Sequence, residues 1–200
     1  MSKENIKKPT TDHKSGHAPH RWLQSMPLEE ALSIPNNKNG HIEGLLKKKA
    51  EVSNIKLPGK YLCVEDFLLK NGINFSKRIR LPKGVRRRKS GACHYNSFWT
   101  VIKKQDEWFY VEGVTHHLCN PGMLIPHAWV TNKKFEVIDP TWAFAEDVEY
   151  FGVILDFKYI HHLCIKRGGN NTLFFLDSED NYPLMTDSRK KWGVNFKQQK

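Results

Sequence analysis

A predicted β-hairpin that brings a histidine and an aspartate face to face is the feature that most constrains this sequence. Residues 126–130 and 135–139 are rich in β-forming side chains, and the polar residues 131–134 between them are typical of a turn. With the turn at its polar centre, His127 and Asp139 are directly opposed across the two strands. The pattern therefore predicts an antiparallel sheet that carries a His–Asp pair.

The segments around the hairpin predict helices as well as strands. Behind Cys93, the side chains of Phe98, Val101 and Ile102 recur at helical spacing, and residues 108–114 are rich in β-formers. The predicted helices cover residues 27–32, 42–52, 64–69, 94–104 and 159–166, and a last strand covers 173–176. This order predicts an α+β fold. The helix that begins near Cys93 packs on an antiparallel sheet, and the earlier helices form an N-terminal extension.

Length and composition predict a single domain with polar ends. The 200 residues fit one globular domain, and 12% aromatic residues are too many for a chain that is disordered throughout. We expect a flexible basic tail at 1–20, one domain at 21–188 with its core at about 88–180, and a basic tail at 189–200.

The sequence lacks the features of an exported or membrane-spanning protein. No run approaches the roughly 20 apolar residues that cross a bilayer. No apolar stretch follows Met1, as it would in a secretory signal. We therefore expect no membrane partner, reduced cysteines and a cytoplasmic location, which is the host cytoplasm if a phage carries the gene.

Cys93 has the position of a nucleophile. A cysteine in the first turn of a helix lies at the positive end of the helix dipole, which favours the thiolate. A thiolate needs a proton carrier, usually histidine, and the histidine needs a third group that fixes its tautomer. Because His127 and Asp139 supply these parts, the sequence predicts a Cys93–His127–Asp139 catalytic triad.

The order of these motifs resembles the transglutaminase-like branch of the papain-like cysteine enzymes, and in particular a bacterial and phage group within it. The resemblance rests on the strings Cys93–Asn96, Tyr110–Gly113, Pro126–Trp129 and Val137–Trp142, and it covers about residues 88–165. It implies a papain-like fold and a hydrolase or acyltransferase that acts on an amide, ester or isopeptide-type bond without a cofactor. The superfamily includes proteases, amidases, deamidases, transglutaminases and inactive binding domains, so the substrate could be a protein, a peptide or a small molecule.

The residues around the triad indicate which reaction is favoured. His94 stands where animal-type transglutaminases have a tryptophan, and the chain is too short for their several domains. We therefore expect hydrolysis or transfer to a small acceptor instead of cross-linking. The backbone N–H of Cys93 is an expected oxyanion donor. The side chains expected to position the oxyanion or the substrate are Tyr95, Asn96, Glu112, Trp129 and Trp142. Glu112 could equally be an ion-pair partner, and the two tryptophans could be core residues.

A basic segment, residues 76–90, precedes the predicted nucleophile. It carries eight positive charges and no acid, out of a formal net charge of +11 for the chain. Such a run is typical of a surface for an acidic partner or of a solvated loop. The expected contact residues are Arg78, Arg80, Arg86, Arg87, Arg88 and Lys89. Because Lys89 is within about 14 Å of Cys93, the segment is predicted to rim the active-site entrance and to select an anionic substrate.

Two other functions fit the same residues. One is a non-enzymatic phage or bacterial accessory protein whose basic segment binds nucleic acid, a nucleotide or an acidic protein. The other is a zinc protein, because a His-His-Leu-Cys string occurs at 116–119 and again at 161–164. The pairs His117–Cys119 and His161–Cys164 could together complete a tetrahedral site. Their spacing matches no common zinc module, so we expect no bound metal.

Overall fold

The computed structural model describes residues 41–53, 61–120, 122–143 and 147–166. The predicted tails, the predicted helix at 27–32 and the predicted strand at 173–176 lie outside the described residues. None of the helices within those four ranges has the length and apolar character needed to span a bilayer.

The described residues form four helices and six strands. In chain order these are α1 (His41–Val52), α2 (Val64–Asn71), β1 (Ile73–Asn74), β2 (Lys77–Arg78), α3 (Cys93–Val101), β3 (Trp108–His117), β4 (Leu124–Asn132), β5 (Glu136–Ile138), β6 (Val148–Leu155) and α4 (Phe157–Lys166). The α+β prediction is confirmed.

The strands form one mixed sheet in the order β1-β6-β3-β4-β5-β2. Neighbouring strands run antiparallel, except that β2 runs parallel to β5. The prediction of a wholly antiparallel sheet is therefore wrong. A parallel pair needs a long crossover, and the chain between β2 and β5 supplies it by forming α3, β3 and β4 first.

The predicted hairpin is confirmed as β4–β5, but its register differs from the prediction. Val130 pairs with Ile138, which centres the turn on Lys134, one position later than predicted. His127 and Asp139 are consequently not direct cross-strand partners. The shift amounts to two residues along one strand, and strand side chains alternate with period two. The histidine and the aspartate therefore still lie on the same side.

The conformation of Phe135 explains the shifted register. Phe135 adopts a left-handed φ of 58°, and its N–H donates a hydrogen bond of 3.0 Å to the carbonyl of Asn132. The side-chain oxygen of Asn132 accepts hydrogen bonds from the backbone N–H groups of Lys134 at 2.9 Å and Glu136 at 3.1 Å. A three-residue loop that ends in a left-handed residue is a common hairpin connection. Because a bulky residue such as Phe135 rarely adopts a left-handed conformation, the sequence does not indicate this loop.

Strand β6 is absent from the sequence predictions, although it lies near the centre of the sheet. Its residues from Tyr150 to Leu155 are all buried, so it shows none of the alternation that predicts a half-exposed strand. Gly152 in β6 lies directly opposite Gly113 in β3. A Cβ atom at Gly152 would come within 2.6 Å of the Trp129 ring. The glycine therefore makes room for the tryptophan.

Helix α3 packs against the sheet and is tied to β4 near its first turn. Phe98 and Val101 join the main hydrophobic core together with Tyr110. Ser97 Oγ donates a hydrogen bond of 2.9 Å to the carbonyl of Ala128. This bond holds the start of α3 beside the part of β4 that carries the predicted catalytic histidine.

The N-terminal helices share this core. Ile42 and Leu45 of α1 and Phe67 and Leu68 of α2 are fully buried in the same cluster as the apolar residues of α3. The helical extension is thus packed onto the sheet and contributes to its stability.

Candidate active site

Cys93 is the first residue of α3. Gly91 has a φ of 79°, a left-handed conformation that glycine adopts without strain. The chain then enters the helix at Ala92, whose carbonyl accepts a hydrogen bond of 2.8 Å from the N–H of Asn96. No acidic residue lies in the first turn. The thiol therefore lies at the positive end of the helix dipole.

Asp139 orients His127. The Nε2–H of His127 donates a hydrogen bond of 2.9 Å to Asp139 Oδ2, which leaves Nδ1 as the ring nitrogen that faces the Cys93 thiol. The other carboxylate oxygen accepts from the backbone N–H groups of Thr141 at 2.8 Å and Trp142 at 3.0 Å. Tyr150 in β6 donates a further hydrogen bond of 2.9 Å to Oδ2. The carboxylate is thereby fixed in one orientation.

Arg78 also supports Asp139, and its position corrects a prediction. Its guanidinium lies 3.6 Å from Asp139 Oδ2 and donates a hydrogen bond of 3.0 Å to the carbonyl of Trp142. It also lies 5.4 Å from the centre of the Tyr150 ring. The side chain is only 8% exposed. Arg78 was predicted to contact an acidic partner, but it is instead buried against the aspartate.

The contacts of the three residues set their charges. Burial alone would raise the pKa of Cys93, but the charge of His94 and hydrogen bonds with both histidines lower it to about 5. Burial would lower the pKa of His127, but hydrogen bonds with Asp139 and Cys93 raise it to about 9. Burial would raise the pKa of Asp139, but His127 lowers it to about 2. At neutral pH the site therefore holds a thiolate–imidazolium pair beside a carboxylate.

A second histidine–carboxylate pair also interacts with Cys93. Tyr110 donates a hydrogen bond of 2.7 Å to Glu112 Oε1. His94 Nδ1 lies 3.1 Å from the Tyr110 hydroxyl and 3.4 Å from the same carboxylate oxygen. Burial would lower the pKa of His94, but Cys93 and Glu112 raise it to about 10. Glu112 was expected to face the site, and it is fully buried beside His94.

His94 and Tyr110 were not predicted to contribute to catalysis. The proximity of His94 to Cys93 in the chain was the one available signal. A histidine beside a cysteine is uninformative until the strand that supplies the carboxylate is known. Tyr150 was likewise not predicted as a site residue, because its strand β6 was not predicted.

The two tryptophans of the predicted site have different surroundings. Trp142 stacks on the His127 ring, with ring centres 4.2 Å apart and planes inclined by 22°. It is partly exposed, so it covers the imidazole on its solvent side. Trp129 is 0% exposed and packs edge-on against Tyr150 with ring centres 5.2 Å apart. Trp129 is therefore a core residue, whereas Trp142 lies partly exposed over the His127 ring.

The predicted oxyanion side chains also differ from the expectation. The Asn96 amide donates hydrogen bonds to the carbonyl of Lys89 at 2.8 Å and to Thr141 Oγ1 at 3.0 Å. Both amide protons are thus engaged. Asn96 therefore holds α3 against the loop that precedes it and against the loop that follows β5. Tyr95 is 43% exposed and packs edge-on against Trp99.

A cleft at the start of α3 is lined by part of the basic segment, but not by Cys93 itself. The cleft measures about 670 Å³ and is bounded by residues 88–92 together with Tyr95 and Asn96. The backbone N–H of Arg88 donates a hydrogen bond of 2.8 Å to the carbonyl of Pro140, which follows Asp139. Arg80, Arg86, Arg87 and Lys89 are exposed. The end of the basic segment therefore lies next to the loop that follows Asp139.

The residues of the predicted zinc site lie at two separate places. His161 stacks against Phe98 of α3, and the charge of Cys164 acts on Tyr110. His117 and Cys119 lie at and beyond the far end of β3, about 20 Å along the strand from Tyr110 at roughly 3.3 Å per residue. The predicted four-residue set is therefore wrong. His117 and Cys119 instead meet Asp147, and these three could hold a metal ion. All four cysteines of the chain are free.

Comparison of the chain with known protein families, with characterised proteins and with solved structures found no match. The site is therefore interpreted from its own geometry and chemistry.

Proposed function

We propose that this protein is a cysteine hydrolase or acyltransferase with a transglutaminase-like, papain-like core and Cys93 as its nucleophile. The observation that carries the proposal is the chain of contacts from the Cys93 thiol through His127 to Asp139. A cysteine that merely fills a core needs neither the helix start nor the two polar partners. A cysteine nucleophile uses the helix start and both partners, because together they stabilise the thiolate and carry its proton.

The reaction follows from the protonation states of the two reacting groups. The Cys93 thiolate attacks the carbonyl carbon of an amide or ester, and a C–S bond forms while the carbonyl electrons move to oxygen. When the tetrahedral intermediate collapses, the bond to the leaving group breaks and His127 Nδ1–H protonates that group. A water or amine then attacks the thioester while His127 accepts its proton, and the thiolate is regenerated.

The oxyanion is stabilised by backbone groups in this proposal. The first N–H groups of a helix have no partner within it, and the N–H of Cys93 is one of them. The Asn96 amide is not assigned to the oxyanion, because both its protons are engaged elsewhere. Trp142 keeps the imidazole between itself and the sheet, so His127 can move a proton without turning away from Asp139.

Acylation by an activated ester tests the proposal without knowledge of the natural substrate. The chain is mixed with p-nitrophenyl acetate, nitrophenolate release is followed, and the acyl group is located by peptide mass spectrometry. We expect a burst of nitrophenolate and an acetyl thioester on Cys93. Cys93→Ala should lower the rate by about a thousandfold or more, whereas Cys164→Ala, which removes another partly buried thiol, should behave like the parent.

The outcome of this experiment also separates the possible reactions. Turnover in water alone supports hydrolysis, and capture of the acetyl group by an added primary amine supports acyl transfer. Acylation of the exposed Cys119 as fast as Cys93, or a rate unchanged in Cys93→Ala, would contradict the proposed nucleophile.

A second candidate function is the binding of an acidic partner by the basic segment. Four exposed basic side chains, Arg80, Arg86, Arg87 and Lys89, favour it. The two functions differ in the residues they require. Binding without catalysis would survive Cys93→Ala and be lost on charge reversal of Arg86 and Arg87, whereas the enzymatic function would be lost in Cys93→Ala.

A further inference from the structure

A second cluster of chemically reactive side chains lies outside the proposed triad. It consists of His117 at the end of β3, Cys119 in the turn that follows, and Asp147 immediately before β6. One donor atom from each residue lies within 4.8 Å of the other two. The Nδ1 atom of His117 is 3.3 Å from Asp147 Oδ2 and 3.7 Å from Cys119 Sγ.

These separations are those of ligands on one small cation. In a tetrahedral zinc site with the usual bond lengths, a nitrogen and an oxygen ligand lie about 3.3 Å apart, and a nitrogen and a sulfur ligand about 3.6 Å. Without an ion, the His117–Asp147 pair and a hydrogen bond between the Cys119 thiol and the Asp147 carboxylate hold the same three donor atoms together. We propose that His117 Nδ1, Cys119 Sγ and Asp147 Oδ2 bind a zinc ion, with the fourth position taken by water.

The backbone positions the three residues independently of any ion. His117 pairs with Val148 in the β3–β6 ladder, and the N–H of Leu118 donates a hydrogen bond of 2.9 Å to the carbonyl of Asp147. The N–H of Asn120 donates a hydrogen bond of 2.8 Å to the carbonyl of His117, which turns the chain so that Cys119 comes back over the strand end. The ladder end and the turn thus preorganise the site.

The donor set indicates the class of metal. Thiolate and imidazole are poor ligands for Mg²⁺ and Ca²⁺ but good ligands for Zn²⁺. Binding releases the proton of the Cys119 thiol to solvent. The thiolate and the Asp147 carboxylate then balance the two positive charges of the cation within the site. Three protein ligands with an open fourth position are the arrangement of zinc sites that retain an exchangeable water.

The proposed zinc site lies close to the proposed triad. The His117 ring lies 6.0 Å from the Trp142 ring, and Trp142 stacks on His127 at 4.2 Å. A metal ion at His117 is therefore separated from the triad histidine by a single aromatic side chain. Metal binding itself does not depend on the proposed catalytic function.

Cobalt(II) is the probe for the test, because four-coordinate cobalt with a thiolate ligand has a charge-transfer absorption in the near ultraviolet. The full-length, tag-free chain carrying Cys93→Ser is titrated with cobalt under reducing conditions, so that the triad thiol cannot compete. We expect one equivalent to bind with this absorption and zinc to displace it. Cys119→Ser should abolish the absorption, and His117→Gln and Asp147→Asn should each weaken binding at least about tenfold.

Matched variants make the result decisive. Cys164→Ser and His161→Gln, in the same Cys93→Ser background, should bind cobalt like the parent. The proposal is overturned if the charge-transfer absorption survives in Cys119→Ser, if zinc does not displace it, or if the chain, shown to be folded by circular dichroism, gives no such absorption with cobalt in excess.

Discussion

Cys93 interacts with two imidazoles, and each imidazole is held by a buried carboxylate. His127 is bonded to Asp139, whereas His94 lies beside Tyr110 and Glu112. Both histidines lower the pKa of the cysteine, but only His127 also faces the side of the site covered by Trp142. This arrangement divides two tasks. In the proposed reaction, His94 helps keep the thiol ionised and His127 carries the proton.

The two tasks predict different pH profiles for alkylation of Cys93 by iodoacetamide. In the parent, the rate should rise with pH around a midpoint near 5, because the thiolate forms as the pH passes the lowered pKa. His94→Asn removes the cation whose charge contributes most to the lowering. Its midpoint should therefore move upward by about one pH unit or more, measured by mass spectrometry of the Cys93 peptide.

Two further variants control this measurement. Glu112→Gln should move the midpoint in the same direction, because His94 then loses the carboxylate that helps keep it positively charged. Lys158 is an exposed residue of α4 and is far from Cys93 in the sequence. Lys158→Gln should leave the pH profile of alkylation as in the parent. A His94→Asn midpoint equal to that of the parent would contradict the electrostatic effect assigned to His94.

At the scale of elements, the sequence predicts α3 and the β4–β5 hairpin, which carry the proposed triad. It does not predict β6, which supplies Tyr150 to support Asp139. The start of α3 and the β4–β5 hairpin carry strong local signals, namely helical spacing behind Cys93 and a polar turn between two β-rich runs. The predicted register was off because Phe135 adopts a left-handed conformation that its residue type does not indicate. The pairing of His127 with Asp139 survived because an error of two residues preserves the strand face.

The rest of the site depends on contacts between residues far apart in the sequence. Tyr150 lies on β6, which has no alternating pattern because it is buried on both faces. Arg78 belongs to β2, a two-residue strand that exists through its pairing with β5. Such strands have no local signature, so the support of Asp139 by Tyr150 and Arg78 could not be predicted from the sequence.

Because β3 and β6 approach closely at Gly152, a single added methyl group there should lower the stability of the fold substantially. In Gly152→Ala the new Cβ would lie 2.6 Å from the Trp129 ring and 2.6 Å from the carbonyl oxygen of Glu112. Because the backbone cannot move away easily, we expect a loss of about 2–3 kcal/mol in the free energy of unfolding. Urea denaturation followed by tryptophan fluorescence measures it.

Gly84→Ala is the comparison, because a Cβ there meets no atom within 4 Å. Gly84 has a positive φ of 87°, so this variant carries backbone strain without a clash and should lose only about 1 kcal/mol. Equal losses in the two variants would show that the packing of Trp129 over Gly152 does not limit stability.

At the scale of the whole molecule, the positive charge is concentrated next to the proposed nucleophile. The basic segment holds most of the net charge, but its members have different surroundings. Lys77 pairs with Glu136 and Arg78 with Asp139, so both are engaged within the fold. Arg88 and Lys89 line the cleft at the start of α3. The segment therefore combines a structural part with a part that faces solvent at that cleft.

A comparison of two alkylating reagents tests whether this charge selects anionic ligands. Iodoacetate and iodoacetamide react with the same thiolate and differ mainly in charge, so the ratio of their rates at Cys93 measures the local potential. Substituting Arg86, Arg88 and Lys89 with glutamine removes three positive charges near the cleft and leaves Arg87, whose charge acts on Tyr150, in place. The chain places these charges within about 14 to 25 Å of Cys93, where together they contribute on the order of 0.5 to 1 kcal/mol at low salt. The ratio should therefore fall about two- to fivefold.

A matched variant separates local from overall charge. Substituting Lys47, Lys103 and Lys158, all exposed, with glutamine lowers the net charge equally but at other elements, and it should leave the ratio close to that of the parent. Added salt should lower the parent ratio toward that of the cleft variant, since the Debye length falls from about 30 Å at 0.01 M to about 8 Å at physiological salt. A parent ratio that does not change with salt and equals that of the cleft variant would contradict the selection of anions by this segment. The exposed arginines and lysines would then contribute only to solubility.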